Sequence, residues 1–185
     1  GGSSEMSTEH VQQAQVIHDA GKDLRTLIDT VLDLSRVEAG KASVKTEPVD
    51  LQALLHDVYE LMQPQFDEKG LRLDLLIDQD APSSLLSDRE KIRQILVNFL
   101  SNALKFTEQG GATLQLSPNT CEDGEPCPLA ISVRDSGIGI PAEKQALVFE
   151  AFSQVDGSTS RRYGGTGLGL TISQELAKLI GGHIE

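Results

Sequence analysis

No stretch of this 185-residue sequence stays apolar for long. The longest runs, such as Ile92 to Leu100, are broken by polar side chains well short of the ~18 apolar residues that a membrane span requires, so no signal peptide or transmembrane helix is expected. Basic side chains are also scarce. Sixteen Lys and Arg stand against 28 Asp and Glu, a net charge of −12, which argues against the basic stripe needed to neutralise a nucleic-acid backbone. A single nucleotide is a different ligand, because a few local cations and Mg²⁺ can hold its phosphates on an acidic protein. Cysteine is confined to Cys121 and Cys127, which flank an acidic loop and have no second Cys/His pair at metal spacing. They read as reduced cysteines in a hairpin loop. No internal repeat is visible.

What is present supports one α/β core with a short appendage, since apolar residues make up 38% of the chain. The opening Gly-Gly-Ser-Ser reads as a cloning scar, and residues 1–7 are expected to be disordered. From about Thr8 to Ala39, Val16, Ala20, Leu24, Leu27, Val31 and Leu34 recur at spacings of four and three. They form a seam along one helix that needs a partner helix or a second chain, and Gly40 ends it. Ser43 to Val49 reads as extended, and Asp50 caps a helix from Leu51 to about Phe66. Leu71 to Ile77 reads as a strand, followed by a turn at residues 81–83. Asp88 caps a second helix that ends near Phe106, and Thr113–Leu116 and Leu129–Arg134 form a hairpin. Pro141 opens a short helix, Phe149 to Gly165 lacks any period and reads as mobile, and a last helix runs from Gly169 to before Gly181. This order fits a layer of helices over a mixed sheet better than a regular βα alternation.

Three segments carry chemistry. In Asn98-Phe-Leu-Ser-Asn102-Ala-Leu-Lys105, the polar positions are four and three apart and share a helix face. Two amide oxygens suit Mg²⁺ as hard neutral ligands, and the ammonium suits phosphate; a plain solvent-facing polar strip is the alternative. In Asp135-Ser-Gly137-Ile-Gly139-Ile, glycines after a strand let backbone approach a flat ligand, while the carboxylate can accept from the exocyclic amine that adenine has and guanine lacks at position 6. Taken alone, this segment reads more readily as a strand-ending turn. In Gly164-Gly165-Thr166-Gly167-Leu168-Gly169-Leu170, a glycine-rich loop feeds a helix N-terminus whose free N–H groups suit phosphate. It is neither a P-loop nor a dinucleotide fingerprint, and a flexible linker is the alternative.

In this order the three segments resemble the N, G1 and G2 boxes of sensor histidine kinases. Phe149-Glu-Ala-Phe152 resembles the F box, and Leu32-Asp-Leu-Ser-Arg-Val-Glu-Ala-Gly40 resembles the end of the dimerisation stem; the likeness runs from Val16 to the C-terminus. It implies a two-layer α/β sandwich, with a mixed sheet covered by helices on one face, preceded by a long stem helix. The fold would be that of gyrase-type ATPases, ninety-kilodalton heat-shock chaperones and mismatch-repair ATPases. Residues 8–40 would be the second stem helix, and residues 41–185 an ATP-binding catalytic domain cut short at Gly181-Gly-His-Ile-Glu185.

The resemblance further implies that Asn102 holds Mg²⁺ and that Asn98 and Lys105 approach the phosphates as the catalytic pair. Asp135 would read adenine, while Gly137, Gly139, Gly165, Thr166, Gly167, Leu168 and Gly169 shape the pocket. Residues 149–163 would be the ATP lid, bringing Phe149, Phe152, Arg161 and Arg162 to the nucleotide; a solvated basic pair is the alternative for the two arginines. Hydrolytic relatives carry a glutamate four residues before the Mg²⁺-holding asparagine. Position 98 is asparagine here, and an amide is no general base, so transfer is favoured over hydrolysis. The family's phosphoacceptor motif is absent around His10, His18, His56 and His183. The γ-phosphoryl group would therefore go to a stem histidine outside this chain, in a homodimer, and then to a response-regulator receiver domain. The setting implied is the cytoplasmic part of a membrane-bound sensor. A non-catalytic nucleotide-binding module that regulates a partner kinase is the alternative.

Overall fold

The computed structural model describes residues 8–38, 43–118, 129–145, 147–150 and 167–185. The chain divides into two units, residues 1–42 and 43–185. The first contains one helix, α1 (Thr8–Glu38). Val16, Leu24 and Val31 of its seam are exposed, at 68%, 58% and 38%. The Leu27 and Leu34 side chains, like residues 1–7 and Gly40, lie outside the described residues.

In the second unit, strand β1 (Glu47–Asp50) leads directly into α2 (Leu51–Glu68). The Asp50 carboxylate accepts from the Ala53 N–H at 2.9 Å and ends the strand by capping the helix, a contact worth about 1 kcal/mol. Leu51, Leu54, Leu55, Val58, Met62 and Phe66 recur at helical spacing and are all buried. Burying a side chain such as Phe66, at 0% exposure, contributes about 2–3 kcal/mol. Strands β2 (Arg72–Ile77) and β3 (Ser84–Ser87) follow, then α3 (Arg89–Phe106), β4 (Gly111–Ser117) and β5 (Ala130–Asp135). Two 3-10 turns, Ala142–Lys144 and Leu147–Phe149, precede the last helix, α4 (Gly169–Leu179).

The three-stranded sheet has the order β2-β4-β5, parallel between the first two and antiparallel between the last two. It is therefore mixed, as expected. Register aligns Leu75, Leu114 and Val133 in one row and Ile77, Leu116 and Ile131 in the next. These rows face the helices, because side chains alternate along a strand and Ala112, Leu114 and Leu116 are the buried residues of β4. The opposite face carries Asp74, Thr113, Gln115, Ser132 and Arg134. α2 and α3 cover the apolar face, and α4 packs against α3. This is the expected two-layer sandwich.

One element differs. Residues 84–87, between the expected turn at 81–83 and the Asp88 cap, form a strand that the sequence does not signal and that pairs antiparallel with β1 as a separate two-stranded sheet. Ser-Leu-Leu-Ser is too short and too weakly alternating to signal a strand by itself, and its partner lies in a distant segment.

Candidate functional site

The site is organised around α3. Its N-terminus is fixed by Asp88, which is 5% exposed and accepts from the Lys91 N–H at 3.2 Å, the Lys91 ammonium at 2.8 Å and the Lys45 N–H at 2.9 Å. Burial is the largest single influence on this carboxyl and pushes its pKa up. The bonds from the Lys91 side chain, Lys45 and the Lys91 backbone together outweigh it and leave the pKa below the usual carboxylate value. At the other end the Lys69 ammonium donates to the Leu104, Thr107 and Lys105 carbonyls at 2.5, 2.8 and 3.4 Å. These are the carbonyls a helix end leaves without partners, and a cation there also complements the dipole. The sequence reading finds the Asp88 cap but not Lys69, whose role depends on a fold that brings the α2–β2 turn to α3.

With both ends held, Ile92, Leu96, Leu100 and Ala103 enter the core while Asn98, Asn102 and Lys105 stay half-buried. The Lys105 ammonium sits 4.7 Å from the Phe106 ring centroid, and burial lowers its pKa from the usual lysine value. A cation that is partly stripped of water gains when an anion arrives.

Asp135 closes β5 in register with Ala112, itself 3% exposed, so its carboxylate belongs to the helix-covered face of the sheet. Its Oδ1 accepts from the Gly137 N–H at 2.8 Å, a tight turn of aspartate onto its own backbone. Gly137 lies against the end of α3. A Cβ there would meet the Phe106 carbonyl oxygen at 2.5 Å and Asp135 Oδ1 at 2.7 Å. The Ile138 N–H donates to that same carbonyl at 3.3 Å. Gly137 is thus required for space, whereas Gly139, with φ +68° and open surroundings, is required for its backbone angle.

The start of α4 lies against the Asn98 end of α3. Gly167 adopts φ +68°, and the N-cap position of α4 is the fully buried Leu168, whose side chain makes no capping bond. A Cβ on Gly169 would overlap the Asn98 side-chain amide, so its absence is what lets α4 approach. The Asn98 amide donates to the Ser173 hydroxyl at 2.8 Å. Asn98, expected at the phosphates, is found bridging α3 and α4. Phe149 is half-buried, and its carbonyl accepts from the Thr171 hydroxyl at 2.9 Å, joining the 3-10 turn to α4.

The structure thus brings Asp135, Gly137 and Gly139 to one end of the α3 face, near Phe106. Gly167, Leu168 and Gly169 come to the Asn98 end, with Asn102 and Lys105 between. Eight residues separate Asn98 from Phe106, about 12 Å of helix. Phe152, Arg161, Arg162, Gly165 and Thr166 lie outside the described residues, as do Cys121 and Cys127. A cavity of about 600 Å³ lies along His56, Tyr59 and residues 73–77, and its lining shares no residue with the site. Among the described residues no helix is long and apolar enough to cross a membrane.

Comparison with known proteins identifies the family. Residues 87–185 match the family described as histidine kinase-, DNA gyrase B- and HSP90-like ATPase. The signal transduction histidine-protein kinase BarA of Escherichia coli (strain K12) is 36% identical over 181 residues, covering 98% of this chain and 20% of that protein. The circadian input-output histidine kinase CikA of Synechococcus elongatus is 40% identical over 173 residues, covering 92% of this chain and 22% of its own. The chain thus spans about a fifth of the length of these relatives. Among solved structures, full-length ShkA in complex with AMPPNP superposes with a TM-score of 0.78 at 34% identity, over 96% of this chain and 35% of that one. The histidine kinase AdeS of Acinetobacter baumannii, at 20% identity and a TM-score of 0.68, shares the fold. With a matching family model over more than half its length and sensor kinases as its relatives, this chain belongs to the histidine kinase-, DNA gyrase B- and HSP90-like ATPase family, as a catalytic domain of the histidine-kinase type.

Proposed function

We propose that this domain binds Mg²⁺-ATP along the exposed face of α3 and transfers the γ-phosphoryl group to a histidine of a stem segment outside this chain. The observation that carries the reading is the placement of α3 between two features suited to a nucleotide. The Asp135 carboxylate lies near its C-terminal end, and the N-terminus of α4, whose N-cap residue Leu168 makes no side-chain capping bond, lies against Asn98. Asp135 Oδ1 is committed to Gly137, which leaves Oδ2 to accept from the adenine amine. The first N–H groups of α4 point positive dipole ends at the phosphates, and Lys105 adds a cation that burial has primed for an anion.

Among the described residues there is no cluster of three His, Cys, Asp or Glu able to cage a metal. That suits Mg²⁺, which is commonly held by one or two side chains together with substrate phosphates. The half-buried amide of Asn102 would hold it, and the ion supplies neutralisation of phosphate charge when bound.

Position 98 offers no carboxylate to activate water, and its amide is engaged by Ser173. The protein's part is therefore positioning and water exclusion. An imidazole nitrogen from the stem attacks the γ-phosphorus, and the bond to the β–γ bridging oxygen breaks with ADP leaving. In the whole protein the phosphate would pass on to a receiver-domain aspartate on the cytoplasmic side, with α1 completing a stem shared with a second copy. Addition of a histidine-bearing phosphoacceptor helix in trans, with γ-labelled ATP, should give acid-labile, base-stable phosphohistidine on that helix. Steady ADP release without any label on the helix would instead identify a hydrolase.

A further inference from the structure

We propose that Ser173 is a positioning residue of the nucleotide site, acting through Asn98 to seat the N-terminus of α4 on α3. The proposal rests on the Mg²⁺-ATP reading above and concerns what holds its phosphate end in place. Ser173 is 1% exposed, surrounded on α4 by the buried Ile172, Leu176 and Ala177. Its hydroxyl is bonded to the Asn98 amide 75 residues away in sequence, at 2.8 Å. One helical turn earlier on the same face, Gly169 leaves room for the oxygen of that same amide. A single side chain is thus gripped twice by α4, once by a hydrogen bond and once by fit.

The consequence is a fixed register. Apolar contacts between two helices tolerate some sliding and rotation, but a shift here would leave a buried hydroxyl unpaired and drive Gly169 off the amide. The N-cap residue of α4, Leu168, has no acceptor in its side chain, and the direction of the first-turn N–H groups follows how the helix sits. The Thr171 bond to the Phe149 carbonyl ties α4 to the neighbouring turn. The Asn98–Ser173 bond adds a directional tie to the packing of α4 on α3.

The test is Mg²⁺-ATP titration by calorimetry on Ser173→Ala, Asn98→Ala and the double variant, with thermal melts alongside. Ser173→Ala should weaken binding about fivefold, the equivalent of one neutral hydrogen bond. The double variant should bind no more weakly than Asn98→Ala, and amide exchange at residues 170–172 should quicken in all three. Ser173→Cys, with a weaker acceptor of similar size, should fall between serine and alanine. A lowered melting temperature with wild-type affinity, or additive losses in the double variant, would overturn the proposal in favour of simple packing. Asp135→Asn separates the two levels. If it weakens binding while Ser173→Ala does not, only the clip fails; if neither matters, the pocket reading fails and takes the clip with it.

Discussion

Replacing Gly137 by alanine tests the contact that joins the β5 turn to α3. The added Cβ would lie 2.5 Å from the Phe106 carbonyl oxygen and 2.7 Å from Asp135 Oδ1, both well inside van der Waals contact. The carbonyl cannot swing aside, because the Lys69 ammonium holds the carbonyls on either side of it, those of Lys105 and Thr107. The turn must retreat instead, losing the Ile138 bond to Phe106 and the Gly137 bond to Asp135. Two hydrogen bonds at about 1 kcal/mol each, with ~1 kcal/mol of overpacking, give roughly 3 kcal/mol. For a domain of this size that corresponds to a fall in melting temperature of roughly 9 °C. Because the Asp135 carboxylate moves with the turn, ATP affinity should fall at least about tenfold, the effect of losing one charge-assisted bond. Scanning calorimetry and ATP titration on the same sample read both. A melting temperature within about 2 °C of wild type, with unchanged affinity, would refute this packing argument.

Two further substitutions separate stability from binding. Lys105→Met should raise the melting temperature of the nucleotide-free protein while weakening ATP binding; the folded state holds this proton less tightly than the unfolded chain, so the stabilisation should shrink as pH rises into the ordinary lysine range. Asp88→Ala should cost about 2–3 kcal/mol near neutral pH in urea melts, for loss of a cap and charge-assisted bonds. Its folded pKa is lowered, so the wild-type advantage exists above the unfolded carboxyl pKa and should vanish as pH falls through the folded value. An equal gap between variant and wild type at acid and neutral pH would show that Asp88 does not act as a charge.

Much of this arrangement is legible in the sequence, because local chemistry writes it there. Asp50 and Asp88 mark helix starts by their own capping bonds, and both act as read. The α2 and α3 apolar spacings match the residues buried. The three polar positions of α3 share a face as their spacing requires.

What escapes is what depends on partners far along the chain. Strand β3 exists only by pairing with β1. Lys69 and Ser173 look like ordinary surface and helix residues until folding brings them to α3. Asn98 illustrates the limit well: its residue type suggests a polar ligand, yet its neighbour in space shows that it also bridges two helices.

The most direct measurement of the central claim is calorimetric titration of ATP, with and without Mg²⁺, into the wild type and Asp135→Asn. The account predicts magnesium-dependent binding by the wild type, a preference for ATP over GTP, and loss of most affinity in the variant with its melting curve intact. Equal affinity in the two proteins, or no magnesium-dependent binding by folded wild type, would contradict it.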